Sequence, residues 1–329
     1  MSVRHAALVS VVIPTTGRRS LSSALRSAAV QPECGEVLVV LDRPEVRSEA
    51  AAQIRDLALG STVRLLTTDG SRGGGAARNL GIRESQFDYV AFLDDDDWWE
   101  ATKLRAQLAA VRRAADPART ISITGAYFHR LNGQTVAVPT TTYRADEGIA
   151  TYIATRSKLR YGQSFVQSST LLAPRGLLCR HPWDEDLRKY QDWDLIARLI
   201  REGGAELVQL REALAHVRQG SSDSLSLVPD TDAAMTWLAR NEAALSTRAR
   251  ADFVCTEIAR YEARRGMPAA ALAHLADAIR LRPHTAALLL ALAEICRSGM
   301  HAARDRLLRP ARTRQSAVDT NAARRRLVS

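Results

Sequence analysis

Short β-branched apolar runs alternate with helix-period segments through the first hundred residues, and that alternation leaves few architectures open. Leu8–Ile13 is apolar and ends at Pro14, Val37–Leu41 is a second run of the buried type, and Val63–Leu66 and Tyr89–Leu93 are a third and a fourth. Between them Leu21, Ala24, Leu25, Ala28 and Ala29 recur at helical spacing, Ala50, Ile54, Leu57 and Ala58 mark the next helix, and a third runs from about Gly74 to Glu84. Strand–helix–strand repetition with apolar strands predicts a parallel sheet covered by helices on both faces. Open sheets of this kind bind ligands at the carboxyl ends of their strands. The residues there are Pro14-Thr15-Thr16, Asp42-Arg43, Asp69-Gly70-Ser71-Arg72 and Asp94-Asp95-Asp96-Asp97.

The pattern changes after about residue 115. Ile121–Phe128 and Thr135–Val138, joined through Asn132-Gly133, predict a hairpin. Ser168–Ala173 is a further strand candidate, and Asp192–Ile200 is a helix with Leu195, Ile196, Leu199 and Ile200 on one side, stopped by Gly203-Gly204. From Pro229 onward only helices are expected, with Arg260–Leu281 and Thr285–Arg297 pairing across Arg282-Pro283. The stretch Ala259–Leu272 resembles one tetratricopeptide-like hairpin, although a single copy makes no repeat array. The expected organisation is therefore an α/β domain over residues 1–228, a helical extension over 229–300 and a basic tail over 301–329.

A chain of 329 residues is long for one domain and ordinary for two. The formal charge of +10 is uneven, because residues 301–329 hold eight arginines against Asp305 and Asp319. Such a run is most often a solvated one, and the functional alternative is attraction to an anionic surface. It has no interleaved aromatics, so of the anionic partners nucleic acid is not expected and peripheral contact with anionic membrane is the functional alternative. No apolar run approaches the ~18 residues a membrane helix needs, since Ala286–Ala293 ends at Glu294. The N-terminal apolar run is followed by Pro14 and Gly17-Arg18-Arg19, where a signal peptide would have its cleavage site, and reads as the first strand instead. Cys34, Cys179, Cys255 and Cys296 are scattered without a CxxC pair, which points to free thiols and a cytoplasmic location, peripheral at the inner face of the membrane if the tail engages it.

The four aspartates after the fourth strand carry the most chemistry. Adjacent carboxylates repel one another, so they take up protons more readily or recruit a cation. Hard divalent ions such as Mg²⁺ or Mn²⁺ bind one or two carboxylates together with substrate phosphates. The bland alternative is an acidic turn capping the next helix. Gly73-Gly74-Gly75-Ala76-Ala77-Arg78 follows the third strand rather than the first and lacks the GxGxxG spacing of a dinucleotide site.

Four segments in order resemble the family 2 glycosyltransferases. They are Val9-Ser-Val-Val-Ile-Pro-Thr-Thr-Gly-Arg18, Gly73-Gly-Gly-Ala-Ala-Arg-Asn-Leu-Gly-Ile82, Ala91-Phe-Leu-Asp-Asp-Asp-Asp-Trp98 with Lys103-Leu104 behind it, and Trp183-Asp-Glu-Asp-Leu187 followed by Asp192-Trp-Asp-Leu195. The resemblance covers residues 8–226 and ends by about 228. It implies an α/β fold of GT-A type, a mostly parallel sheet flanked by helices, here with a C-terminal all-helical extension. It also implies an inverting enzyme that moves a sugar from a nucleotide-diphosphate donor, most commonly UDP-linked, to a hydroxyl on a glycan or lipid-linked acceptor with the help of Mn²⁺ or Mg²⁺. Carried over by residue, the resemblance places the metal on Asp94 and Asp96, with Asp95 and Asp97 interchangeable with them in so uniform a run. The donor falls to Pro14, Thr15, Asp42, Arg78, Asp94 and Asp95, and Asp192 is the base that deprotonates the acceptor.

This chain departs from the pattern in three places. Val40-Leu41-Asp42 has one carboxylate where the family has two, and Gln191 stands where it usually has Glu. Arg218-Gln219-Gly220 replaces Arg-x-His, leaving His216 as the nearest histidine and a candidate metal ligand. The competing readings are a degenerate glycosyltransferase domain used as a binding or scaffold module, and a sugar nucleotidyltransferase. The latter's glycine-rich first loop with lysine is poorly matched by Thr15-Thr16-Gly17-Arg18-Arg19.

Overall fold

The computed structural model describes residues 8–59, 62–219 and 228–308, the last eight by backbone alone. Strands β1 (Val9–Thr15), β2 (Cys34–Leu41), β3 (Val63–Thr67) and β4 (Tyr89–Phe92) alternate with helices α1 (Leu21–Ala29), α2 (Arg47–Asp56) and α3 (Gly73–Glu84), as the apolar rhythm predicts. β1 pairs in parallel with β2 and β4, and β2 with β3. A two-residue strand, β5 (Trp98–Trp99), and α4 (Lys103–Arg113) follow. The hairpin expected around Asn132-Gly133 is β6 (Thr120–His129) with β7 (Thr135–Val138).

After α5 (Ile149–Ala154), β8 (Leu171–Pro174) runs antiparallel to both β4 and β6, and so joins the two halves of the sheet. α6 (Arg175–Arg180) and α7 (Gln191–Arg201) lead to β9 (Glu206–Arg218). The strand order is β3-β2-β1-β4-β8-β6-β9-β5, with β7 on β6. β9 was not expected, because its sequence mixes Glu206, Arg211 and Glu212 with half-buried apolar residues and shows no clean alternation. It lies parallel to β6 and bulges opposite Gly125, where Ile123 faces Gln209 and Gly125 faces Ala213. A Cβ on Gly125 would meet the carbonyls of Arg211 and Glu212 at 2.9 and 3.0 Å, so only glycine fits the bulge.

Both faces of the sheet are apolar, as a helix-covered sheet requires. Val9, Val11 and Ile13 of β1 point to the side of α1 and α4, whereas Val12 points to the other, with Val90 and Phe92. α3 approaches that second face closely at Gly81, where a Cβ would lie 2.4 Å from Val12 Cγ1. Phe92 meets Trp183 edge-on at 5.1 Å.

The same core continues into the C-terminal helices α8 (Thr231–Asn241) and α9 (Thr247–Phe253). Trp237 stacks on Phe253 at 4.8 Å and meets Trp193 of α7 at 5.9 Å. α9 runs on through a π-helical stretch, Val254–Ala259, into α10 (Arg260–Arg264). Within the helical stretch expected over Arg260–Leu281, Gly266 (φ 76°) ends α10 and Pro268 opens α11 (Pro268–Arg280), so the stretch resembling a hairpin is two helices. α12 (Thr285–Leu308) packs back on α10 and α11 and runs longer than the sequence reading placed it. Trp237→Ala should cost about 3–5 kcal/mol, the scale of an emptied buried aromatic site. Urea unfolding measures it, and a loss under 1 kcal/mol would mean that the extension does not share the domain's core.

Candidate active site

The acidic loop leaves β4 at the carboxyl end of the sheet, and its four aspartates separate by burial. Asp94 and Asp96 keep 25% and 28% of their side chains exposed, Asp95 only 7%, and Asp97 is buried. Thr15 donates its hydroxyl hydrogen to Asp95 (2.6 Å), which ties the β1 loop to the acidic loop. Asp97 is held from below by the Ser169 hydroxyl (2.7 Å) and the Arg218 backbone N–H (2.9 Å). The four like residues thus differ in place: Asp94 and Asp96 keep more of their side chains exposed, whereas Asp95 and Asp97 anchor the turn. Burial, then Asp94 and Asp95, pushes the Asp96 carboxyl up to about 6. Burial pushes Asp97 up as well, reinforced by Asp94 and Asp96.

Arg78 reaches from α3 to join three segments. Its guanidinium donates to Asp94 (2.6 Å) and to the Gln191 side chain (3.1 Å), and it lies over the Trp183 ring at 4.7 Å. Asp94 also accepts from Gln167 (2.9 Å) and Ser168 (2.8 Å). These two, with Ser169, were not singled out from the sequence. Their only local signal is a polar triplet at the start of a strand candidate, and they reach the loop because β8 docks on β4.

At the start of α7, Asp192 and Asp194 part company. Asp194 is buried between Arg198 (2.7 Å) and Arg240 (3.3 Å). Asp192 faces a cavity of about 550 Å³ together with Asp94, Asp96 and Asp97. Burial raises its carboxyl to about 6, with Arg78 opposing and Asp94 adding to the shift. Tyr161, Tyr190 and Trp193 supply aromatic wall, and Thr256, Glu257 and Arg260 bring the helical extension into it.

Other expected residues lie outside the cavity wall. Asp42 accepts from the Thr68 hydroxyl (2.7 Å) and from the backbone N–H groups of Arg72 (3.0 Å) and Gly73 (2.8 Å), holding the loop that opens α3. Pro14 and Thr15 end β1 beside it, and Asp95, expected at the donor, acts within the loop. The metal-ligand expectation for His216 meets a different geometry. The ring stacks on Trp98 at 4.7 Å, and its two nitrogens are engaged by His129 (3.0 Å) and Glu100 (2.8 Å), which leaves it no lone pair directed at the acidic loop.

The sheet is GT-A-like, with paired acidic residues at the carboxyl end of β4 and a carboxylate across the cavity. Comparison with known proteins agrees. Residues 10–157 match the model of Glycosyl transferase family 2, and relatives it is similar to are named as glycosyltransferases. It is 26% identical over 213 residues to the amylovoran biosynthesis glycosyltransferase AmsB of Erwinia amylovora, covering 63% of this chain and 68% of that one. It is 27% identical to the succinoglycan biosynthesis protein ExoO of Rhizobium meliloti, covering 65% and 61%. A shorter match, 28% identical, covers 31% of this chain and 40% of the Escherichia coli UDP-Glc:α-D-GlcNAc-diphosphoundecaprenol β-1,3-glucosyltransferase WfgD. In fold it is similar to S. aureus TarS 1-349 in complex with UDP-GlcNAc, with a TM-score of 0.51 at 16% identity over 88% of this chain and 89% of that one.

Proposed function

We propose that this glycosyltransferase moves a sugar from a UDP-sugar to a hydroxyl of a glycan or lipid-linked acceptor in polysaccharide assembly, inverting the anomeric centre. The observation that carries the reading is the shared cavity, in which Asp192 stands with Asp94 and Asp96 while Asp194 is locked behind them by two arginines. In the reaction Asp192 takes the proton of the acceptor hydroxyl. The freed oxygen bonds to the anomeric carbon from the face opposite the diphosphate, and the carbon–oxygen bond to the diphosphate breaks with its electron pair leaving on UDP. A carboxyl poised near 6 suits a general base working at neutral pH.

Asp94 and Asp96 fit a divalent cation, being two outward carboxylates in a loop whose mutual repulsion and burial already call for positive charge. Among the described residues no group of three or more His, Cys, Asp or Glu is arranged to hold a metal alone, so the donor phosphates would complete the shell. When bound, the ion supplies positive charge against the leaving diphosphate. The relatives named for amylovoran and succinoglycan biosynthesis, and the one named for a diphosphoundecaprenol-linked acceptor, support a polysaccharide role with a lipid-linked acceptor. The UDP-GlcNAc complex of the TarS neighbour supports a UDP donor.

A thermal-shift panel of nucleoside diphosphates with and without Mn²⁺ tests the reading. UDP with Mn²⁺ should stabilise the protein by about 2.7 kcal/mol at a hundredfold excess over Kd. If no nucleoside diphosphate stabilises it with any divalent ion, the donor reading fails.

No helix among the described residues is long and apolar enough to cross a membrane. The arginine-rich tail, of which 309–329 lie outside the described residues, supports peripheral contact with anionic lipid at the cytoplasmic face. Each basic residue near such a surface contributes about 1 kcal/mol. Removing 309–329 should reduce sedimentation with phosphatidylserine liposomes at low salt and leave UDP binding intact, and equal sedimentation of both forms would dispose of the contact.

A further inference from the structure

One part of the cavity wall is basic, and its charges are poorly compensated. Arg130 enters from the end of β6, Arg156 from the segment after α5, and Arg260 from the first turn of α10. Arg156 is half-buried and forms no ion pair among the described residues, its one guanidinium hydrogen bond being to the Leu159 carbonyl at 3.3 Å. Arg260 lies 3.6 Å from Glu294, an acid with two nearer partners, Arg297 at 2.5 Å and Arg264 at 3.1 Å, and the buried Nε of Arg260 has no acceptor among the described residues. Among the described residues the Arg130 side chain has only the Gln134 amide oxygen at 3.4 Å and the face of Tyr161 at 5.8 Å. The acid at this end is Glu257, which already accepts from the Tyr190 hydroxyl at 2.9 Å.

Guanidinium groups taken from water without partners are costly, and neighbouring ones repel. Arg156 shows it, because burial first and Arg260 second depress its affinity for its proton. The fold nonetheless fixes the backbone that carries Arg156. Fully buried Asp252 of α9 accepts from the Arg156 backbone N–H (2.7 Å) and from His284 (2.6 Å). A phosphate or diphosphate satisfies such a wall through paired charge-assisted hydrogen bonds, which suit arginine better than lysine. The wall is separate from the donor-side arginine: Arg78 is the arginine that acts on Asp192, whereas Arg156 interacts with Arg260, Glu257 and Tyr161. Tyr161 lines the same cavity, within electrostatic reach of Arg156, Arg130, Glu257 and Asp192.

Resting on the glycosyltransferase reading above, we propose that Arg156 and Arg260 form an acceptor subsite for a phosphate or diphosphate group, so that the helical extension selects acceptors that carry one near the reacting hydroxyl.

Calorimetric titration with geranyl diphosphate and with inorganic pyrophosphate, in buffer containing EDTA so that the acidic loop recruits no metal-bound phosphate, tests the subsite. UDP is titrated separately with Mn²⁺. Arg156→Gln and Arg260→Gln should each weaken geranyl diphosphate at least about tenfold and change UDP affinity less than twofold. Arg260→Lys, which keeps the charge without the fork, should fall between wild type and Arg260→Gln and show that the loss is not misfolding. Pyrophosphate binding as well as geranyl diphosphate would show recognition of the anion alone, and tighter geranyl diphosphate would show that the aromatic wall adds to it. The subsite is overturned if geranyl diphosphate fails to bind wild type, binds both glutamine variants unchanged, or if UDP weakens in parallel, which would assign these arginines to the donor. If UDP binds no form, the donor reading fails and the EDTA titration still decides the subsite.

Discussion

Asp192→Asn should lower kcat at least about a hundredfold while UDP binding stays within twofold, because proton removal is lost and the side chain keeps its shape. Asp194→Asn should behave differently, costing on the order of 2 kcal/mol of stability by leaving Arg198 and Arg240 short of a carboxylate, with turnover per folded molecule retained. Normal turnover by Asp192→Asn with a dead but folded Asp194→Asn would put the base on the other side of the helix. The pH profile follows from the same carboxyl, raised from 3.8 to about 6 by burial. A base works ionised, so kcat/KM should fall as pH drops through about 6 and level off above it. The stability term has the opposite sense. The folded state holds this proton more tightly than the unfolded one, so the contribution is full below 3.8 and is lost as pH rises through about 6.

The second large effect belongs to Asp96. Asp96→Ala should abolish the Mn²⁺-dependent part of UDP stabilisation, which is about 2.7 kcal/mol in the wild type at a hundredfold excess over Kd. In EDTA at neutral pH the order should reverse, with Asp96→Asn melting above wild type, because it removes one of the crowded carboxylates whose charge burial, Asp94 and Asp95 disfavour. Differential scanning calorimetry in the two buffers measures both. A variant equal to wild type in each would remove Asp96 from the metal-binding role.

Much of this arrangement was legible in the sequence because local periodicity encodes it. β1 to β4, the Asn132-Gly133 hairpin and α7 have their apolar residues at strand or helix spacing, so they were found to within a few residues. β9 was not, since a strand that is half-covered and bulged beside Gly125 loses the alternation by which strands are recognised. The acidic loop announced itself, but which aspartates face outward did not. Four identical side chains differ only in what lies beneath them, and that is set by Thr15 and Ser169, 80 and 72 residues distant from their partners in the chain. The basic wall was invisible for the same reason. Arg156 and Arg260 look like ordinary surface arginines until α9 and α10 fold back over the cavity.

The π-helical stretch Val254–Ala259 gives that wall an unusual dependence on residue count. A π turn is an α-helix with one residue too many, held in a looser ring and found often beside functional sites. The wider ring absorbs the extra residue, so deleting one within the stretch would restore ordinary i→i−4 bonding while α10 keeps the face it turns to the cavity. The residues displaced would be those of the stretch itself, among them Thr256 and Glu257 of the cavity wall. Helix regularity and cavity lining are therefore in opposition at this one turn.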